Sequence, residues 1–495
     1  MSPWITPNII ASITSMEQKY QLEISFKAND PKIVNPNFYF NFIGINKNNQ
    51  QPGSKFSFMY KTNLIEGAKK VLNSNFNEEK GFTIPCEGLY PFQWHWDSGF
   101  IAIGYAHYDI EKAKREVESL LSGQWENGFI PHIIFHNESD TYFPGPDYHR
   151  SDLHPSSPKT IKTTGITQPP VLGFVLKEIF DIARDKQDVL EFIRPNIDKI
   201  FKNHEHFYKY RDPHDESLVY IYHNWESGTD NSPIWDEIWK TMDPPKYKYE
   251  RKDTTHVDAS QRPTNREYDC YLHLLEIAKA HNYDDAKIAE LSPFLVQDPL
   301  FNAILIKSNE ALIELYQILG DNHEKIETLK SWQEKAKNRF EEKLYHEELG
   351  SYVYYDLRNE KQIAYCTSST FTPLFAGIPS KERANKLVER FKQNFGSEDL
   401  FLCASFDPKS MYFNPKKYWR GPVWINLNWL IYRGLKRYGY VQLAERIKKE
   451  TINYIEHHGF YEYFDARKEM FDNSAYGGKN FSWSAALTLD LLNEL

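Results

Sequence analysis

The chain has 495 residues, with 59 Lys and Arg against 68 Asp and Glu, a net charge of −9 and a pI near 6.0. That length suits one large catalytic domain or two to three ordinary ones. The mildly acidic balance excludes a general nucleic-acid binder, whose footprint is strongly basic, and no apolar run reaches about 18 residues, so no membrane span is expected.

Taken in chain order, the opening MSPWITPNIIASITSMEQKYQ carries neither a cationic stretch nor a compact apolar one. No secretory signal is expected, and the chain reads as cytoplasmic. Between Tyr20 and Ile45 the residues alternate (Leu22, Ile24, Phe26; Phe38, Phe40, Phe42). Period-two alternation predicts a strand pair in an N-terminal extension, residues 1–55, packed on the main domain at 56–495. Beyond it the apolar positions take a helical period, as at Leu312, Leu315, Tyr316 and Leu319. The pattern predicts helices near 56–75, 98–121, 169–184, 187–209, 264–281, 302–319, 321–345, 369–376, 380–394, 422–438, 440–457 and 482–494. Short connections such as Gly320–Asp321 predict antiparallel helical hairpins, and periodicity alone leaves a solenoid, an irregular bundle and a closed double ring open. Two stretches lack helical pattern, 129–164 and 242–263, and both are long enough to be lids. Cys86, Cys270, Cys366 and Cys403 stand far apart with no CxxC, which excludes a structural zinc site or a dense disulfide framework.

The informative excess is aromatic: 12 Trp, 32 Tyr and 32 Phe make up 15% of the chain. Several of these rings recur beside charged residues, carboxylates in three segments, in polar, glycine-punctuated stretches. The segments are Gln93-Trp-His-Trp-Asp97, Asn224-Trp-Glu226-Ser-Gly-Thr-Asp230, Tyr418-Trp-Arg-Gly-Pro-Val-Trp424 and Tyr461-Glu462-Tyr-Phe-Asp465. A lone Asp before Ser-Gly reads first as a helix cap, and a lone Trp as core; the repeated pairing of ring and acid is what argues for a pocket. A pyranose has apolar C–H faces and hydroxyl edges, so rings and acids suit it. Two separated carboxyls in such a pocket suit glycoside hydrolysis, one protonating the departing oxygen and the other activating water. Residue types alone leave six candidates for that pair: Asp97, Glu226, Asp230, Asp236, Glu462 and Asp465.

QWHWDSG, TQPP, WESGTDNSP, SSTFTPLFAGIP, YWRGPVW, EYFD and FSWSA, in that order between about residues 90 and 490, together resemble glycoside hydrolase family 63. The likeness is to its bacterial branch of mannosylglycerate and glucosylglycerate hydrolases. The resemblance implies an all-α (α/α)6 barrel, here with the N-terminal extension and long lid loops, and an inverting, exo-acting α-glycosidase. It implies a small sugar substrate and neither metal nor organic cofactor. Matched by motif, Asp230 corresponds to the general acid and Glu462 to the general base. Asp97, Gln168, Tyr418 and Trp419 correspond to the lining of the sugar pocket. Trp94, Trp96, Glu226, Arg420 and Trp424 are expected to contribute to the same subsite, and Tyr271 to the aglycone side. Trp225 and Trp235 would give Asp230 the apolar walls that keep an acid protonated. Lys246, Lys248, Arg251, Lys252 and His256 offer positive charge to an anionic aglycone such as glycerate, or form a solvated basic loop.

The trehalase signatures PGGRF and QWDxPxGW are absent, which makes trehalose the second substrate choice. A phosphorylase on the same scaffold would need a phosphate cradle where Glu462 puts a negative charge. A non-catalytic binding protein would be expected to lack one of the two acids.

Overall fold

The computed structural model describes residues 20–24, 42–46 and 54–493 except 321, with side chains from Thr62 onward save those of 256 and 321. The chain divides into two compact units, Met1–Gly67 and Ala68–Leu495. In the first, strand β1 (Tyr20–Ile24) pairs antiparallel with β2 (Phe42–Asn46), Tyr20 opposite Asn46. The alternating stretch thus forms the strand pair its period predicts. Phe26, Phe38 and Phe40, and the expected packing of the extension on the main domain, lie outside the described residues.

Helix α1 (Ser54–Asn75) runs from one unit into the next. Eleven further helices of eleven residues or more follow in the described residues. They are α2 (His95–Ala106), α3 (Ile110–Leu121), α4 (Leu172–Ile182), α5 (Lys186–Tyr210), α6 (Asn265–Ala280), α7 (Pro299–Leu319), α8 (His323–Arg339), α9 (Lys381–Phe395), α10 (Ile425–Arg437), α11 (Val441–His458) and α12 (Ser482–Asn493). Helices α2, α4, α7, the 3₁₀ segment Ser368–Leu374, α10 and α12 each pack on the next, and α12 returns to α2. This closed inner ring is sheathed by α3 on α2, α5 on α4, α8 on α7, α9 on the 3₁₀ segment and α11 on α10. Residues 68–75 take the sixth outer position, where Tyr105 donates to the Leu72 carbonyl and Asn75 to Ser482. The architecture is the (α/α)6 barrel.

Residue pattern decides which helix goes where. Every residue of α2 is buried, as befits a helix surrounded on all sides. In α9 only Ala384, Leu387, Val388, Phe391 and Phe395 are buried, one stripe at helical spacing, with Lys, Arg and Glu on the rest. Each buried Leu or Phe of such a stripe contributes roughly 1.5–3 kcal/mol. Ring closure needs one small residue: a Cβ on Gly104 of α2 would lie 2.5 Å from Ala486 Cα of α12.

Three expectations are corrected. The predicted helix 98–121 is two, because Asp109 accepts from the Lys112 amide and caps a new helix. The helix expected from 422 starts at Ile425, because Val423 bridges to both Ala404 and Phe464 as extended chain. Segment 129–164 is tied down by a small sheet, β3 (Gln93–Trp94), β4 (Ile133–Phe135) and β5 (Lys162–Thr163). Segment 242–263 carries only the single turns Asp253–His256 and Ala259–Gln261.

Candidate active site

The segments that lead into the inner helices meet at one end of the barrel. Residues 93–97 open α2, Gln168 precedes α4, residues 418–424 precede α10, and strand β6 (Tyr461–Phe464) with Phe481 precedes α12. They surround a cavity lined by Tyr90, Trp94, Trp96, Asp97, His132, Tyr142, Gln168, Trp225, Gly228, Asp230, Tyr418, Trp419, Glu462, Phe481 and Trp483, with Pro85 at one edge. About 70 Å³ of it is open to the centre of a water molecule, room for several waters.

Local bonds hold each wall. Trp94 is pinned by β3–β4 pairing opposite Ile133, and the Trp96 amide donates to Gln168 Oε1 at 3.1 Å. The Trp419 ring stacks on Trp424 at 3.7 Å and 5°, and Trp424 in turn stacks on Tyr463 at 4.6 Å. The loop bearing Asp230 is cross-braced: Asn224 donates to the Asp230 carbonyl, and the Thr229 amide to Ser227 Oγ. Gly228 in that loop has φ +72°, and a Cβ there would meet the Trp96 ring at 2.4 Å. Only glycine allows the loop to lie on the indole in that conformation.

Three of the six candidate carboxyls reach the cavity: Asp97, Asp230 and Glu462. Glu462 projects from β6, which pairs with β7 (Ala475–Lys479). Its Oε1 accepts from the Tyr90 hydroxyl at 2.9 Å, its Oε2 from the Gly478 amide at 2.9 Å, and the Arg262 guanidinium stands 3.5 Å away. Burial raises its pKa; Arg262, the Gly478 amide and the Tyr90 and Tyr418 hydroxyls pull it down. Asp230 is pushed up to about 7, by burial first and by the negative charge of Glu462, with Arg262 opposing. Burial also lifts Asp97 well above the usual carboxylate range, and its negative neighbours Glu462, Glu116 and Asp230 add to the lift. Burial thus raises all three acids, and Glu462 is the one that also accepts from a backbone amide and a tyrosine hydroxyl, bonds that oppose the rise.

Of the twelve residues singled out in the sequence, Trp94, Trp96, Asp97, Gln168, Asp230, Tyr418, Trp419 and Glu462 stand on the wall. Glu226, Tyr271, Arg420 and Trp424 do not. Glu226 is fully buried behind it, paired with Arg211 at 3.1 Å and accepting from the Thr167 and Tyr222 amides. Its carboxylate thereby joins the loop bearing Gln168 to the loop bearing Asp230, and sequence could not separate that bracing from a sugar contact. Arg420 is bidentate to Asp236 at 2.8 and 2.6 Å, which also accounts for that acid. Asp465 is paired with Arg467. Trp424 backs Trp419, and Tyr271 backs Trp225 at 5.7 Å. Trp235 is likewise behind the wall, donating to the Thr229 carbonyl.

The cations of 242–263 also fall differently. Lys246 and Lys248 are exposed, Arg251 pairs with Asp253, and Lys252 with Glu250; the His256 side chain lies outside the described residues. The cation that approaches the acids is Arg262, 3% exposed, 3.0 Å from the Tyr90 hydroxyl and 4.5 Å over the Tyr418 ring. Sequence reasoning missed it, along with Tyr90, His132 and Tyr142. Phe481 and Trp483 carried a signal in the FSWSA motif and went unassigned.

A helical double ring with an aromatic, three-acid cavity at one end defines a carbohydrate-hydrolysing enzyme. Residues 90–484 match the model of the mannosylglycerate hydrolase MGH1-like glycoside hydrolase domain, and the chain belongs to that family, within glycoside hydrolase family 63. Mannosylglycerate hydrolase MGH1 of Selaginella moellendorffii is 40% identical over 88% of this chain and 87% of its own. Glucosylglycerate hydrolase of Mycolicibacterium hassiacum is 35% identical over 82% of this chain and 92% of its own. Among solved structures, the family 63 mannosylglycerate hydrolase from Thermus thermophilus in complex with Tris and D-glycerate superposes with a TM-score of 0.79. It is 39% identical and covers 86% of this chain and 99% of that one. The protein is a glycoside hydrolase, an α-glycosidase acting on small glycosides.

Proposed function

We propose that the protein hydrolyses an α-linked glycosylglycerate, of mannose or glucose, with inversion at the anomeric carbon. The observation that carries this is the buried Arg262, packed against Tyr90, Tyr418 and Glu462 of a three-acid cavity. It donates to the Tyr90 hydroxyl at 3.0 Å, but its Nε has no partner and its contact with Glu462 is a loose 3.5 Å. A guanidinium with that capacity left over favours a carboxylate on the incoming molecule. A neutral aglycone such as the second glucose of trehalose leaves that charge unanswered. The D-glycerate bound by the Thermus relative supports the same reading.

In this reading the sugar ring lies among Trp94, Trp96 and Trp419, with hydroxyls on Asp97 and Gln168. Asp230 gives its proton to the glycosidic oxygen as the C1–O bond breaks. A water between sugar and Glu462 attacks C1 from the opposite face, and Glu462 takes the water's proton. The products are a sugar of inverted anomeric configuration and free glycerate. Such a geometry sets the two carboxyls roughly 6.5–9.5 Å apart.

The test is a release assay on α-mannosylglycerate, α-glucosylglycerate and trehalose in phosphate-free buffer, with NMR detection of the anomer first formed. A β-anomer from a glycosylglycerate is expected. Product appearing only with phosphate, or trehalose as the better substrate, would sink the proposal.

A further inference from the structure

Besides Glu226, the reaction above leaves another buried acid behind the cavity unused. Glu116 lies on α3 with no exposed surface, and its partners are three neutral groups. Ser98 Oγ donates to its Oε1 at 2.6 Å, Gln93 Nε2 to the same oxygen at 3.2 Å, and Thr83 Oγ1 to its Oε2 at 2.7 Å. Gln93 Nε2 also reaches the Glu116 carbonyl at 3.1 Å and Ser98 Oγ at 3.0 Å. One turn further along α3, Ser119 Oγ donates to Gln93 Oε1 at 3.1 Å, and His136 Nε2 faces that oxygen at 2.7 Å. A carboxyl buried without a cation is costly, and here it grips both ends of one six-residue segment, 93–98. Between those ends stand Trp94, Trp96 and Asp97, all on the cavity wall.

We propose that Glu116 is a positioning residue for the sugar end of the cavity, gripping Gln93 and Ser98 from behind so that Trp94, Trp96 and Asp97 keep their places. Side chains that meet a ligand hold productive geometry only when a second set of bonds locks them. The grip works in either charge state. Burial pushes Glu116 up to about 7, against the bonds from Ser98, Thr83 and Gln93. As an anion it accepts from Ser98 and Thr83. When protonated it donates to Thr83, which can donate to the Tyr105 hydroxyl at 3.1 Å, which donates to the Leu72 carbonyl at 2.9 Å; Ser98 stays bound throughout. The titratable groups that feel its charge are Asp97 and Tyr105 on α2, while His136 after β4 meets its partner Gln93. A glutamine reproduces the protonated form, accepting from Ser98 and donating to Thr83.

The inference rests on the substrate reading above only for which end of the cavity takes sugar. The experiment titrates the full chain with D-mannose, D-glucose and D-glycerate by calorimetry, in wild type, Glu116→Ala, Glu116→Gln and Ser98→Ala. In Glu116→Ala and Ser98→Ala, hexose affinity is expected to fall about tenfold with glycerate affinity within about twofold of wild type. Glu116→Gln is expected to restore hexose binding to within about threefold. Unchanged hexose affinity in both alanine variants, or an equal loss for hexose and glycerate, overturns the proposal. If Glu116→Ala does not fold, Ser98→Ala decides by the same criteria. Failure of hexose and glycerate to bind the wild type itself overturns the substrate reading and the proposal with it.

Discussion

Arg262 and Glu462 form a pair 3.5 Å apart in which both side chains are almost wholly buried, at 2% and 1% exposure. The arginine also pulls down the pKa of Asp230, so a single cation acts on both proposed catalytic acids. Removing it takes away a lowering influence from each, and both pKa values rise. Arg262→Ala is therefore expected to move both limbs of the kcat/KM profile to higher pH. It should also raise KM for a glycosylglycerate, by about a hundredfold, because a buried charge-assisted pair to the aglycone is lost. The profile measured from about pH 4 to 9 checks this; limbs that stay in place would show that the arginine does not tune the acids.

The proton on Asp230 gives a second expectation. With its carboxyl pushed up to about 7, activity should fall as pH rises through that value, since the proton donor is lost. Asp230→Asn is expected to fold normally and lose about 10²–10⁴ of turnover on a natural glycoside. On an α-glycosyl fluoride, whose leaving group needs no proton, most of that loss should disappear. Glu462→Gln should stay impaired on both substrates, because attack by water still lacks a base. Equal behaviour of the two variants on the fluoride would reverse or abolish the assignment.

Glu226 makes a contrasting case. Its buried pair with Arg211 bridges the Thr167 and Tyr222 amides, and Glu226→Gln leaves Arg211 with Asp285, 2.6 Å away, as its remaining carboxylate partner. The expected cost is about 1–3 kcal/mol of stability, read from denaturant unfolding. A variant as stable as wild type but unable to bind sugar would restore Glu226 to the subsite.

At Gly228, an added methyl would press into the Trp96 indole at 2.4 Å from a left-handed backbone position. Gly228→Ala should lower kcat/KM by about tenfold or more through a displaced Asp230 loop. Full activity would mean that the loop can retreat from the ring without consequence.

Much of this molecule was legible in its sequence, for two different reasons. The helices could be read because an amphipathic helix must show an apolar stripe, as α9 does; that they close into a ring came from the motif resemblance, since periodicity left a solenoid and a bundle open. The wall residues came from motif resemblance, since short segments such as 93–98 and 461–465 keep ring and acid together. What stayed hidden depends on long-range contact. Arg262 was one of several cations in its segment, and nothing local marks it as the buried one. Glu226 sits in a motif beside Asp230, yet points away to an arginine fifteen residues upstream. The break at Asp109 did have a local signal, an Asp before Ile-Glu-Lys, outweighed by continuous apolar spacing.

The inner ring closes between α2, near the start of the barrel, and α12, which follows some 380 residues later. The cavity has no wall complete before then: Glu462, Phe481 and Trp483 all belong to the last tenth of the sequence. A nascent chain emerging from the ribosome accordingly has the loop bearing Asp230 long before it has Glu462, and is expected to stay inert towards sugar until translation has passed residue 483. Cleaving the chain upstream of β6 would likewise be expected to yield two inactive pieces, whose activity returns only on reassembly.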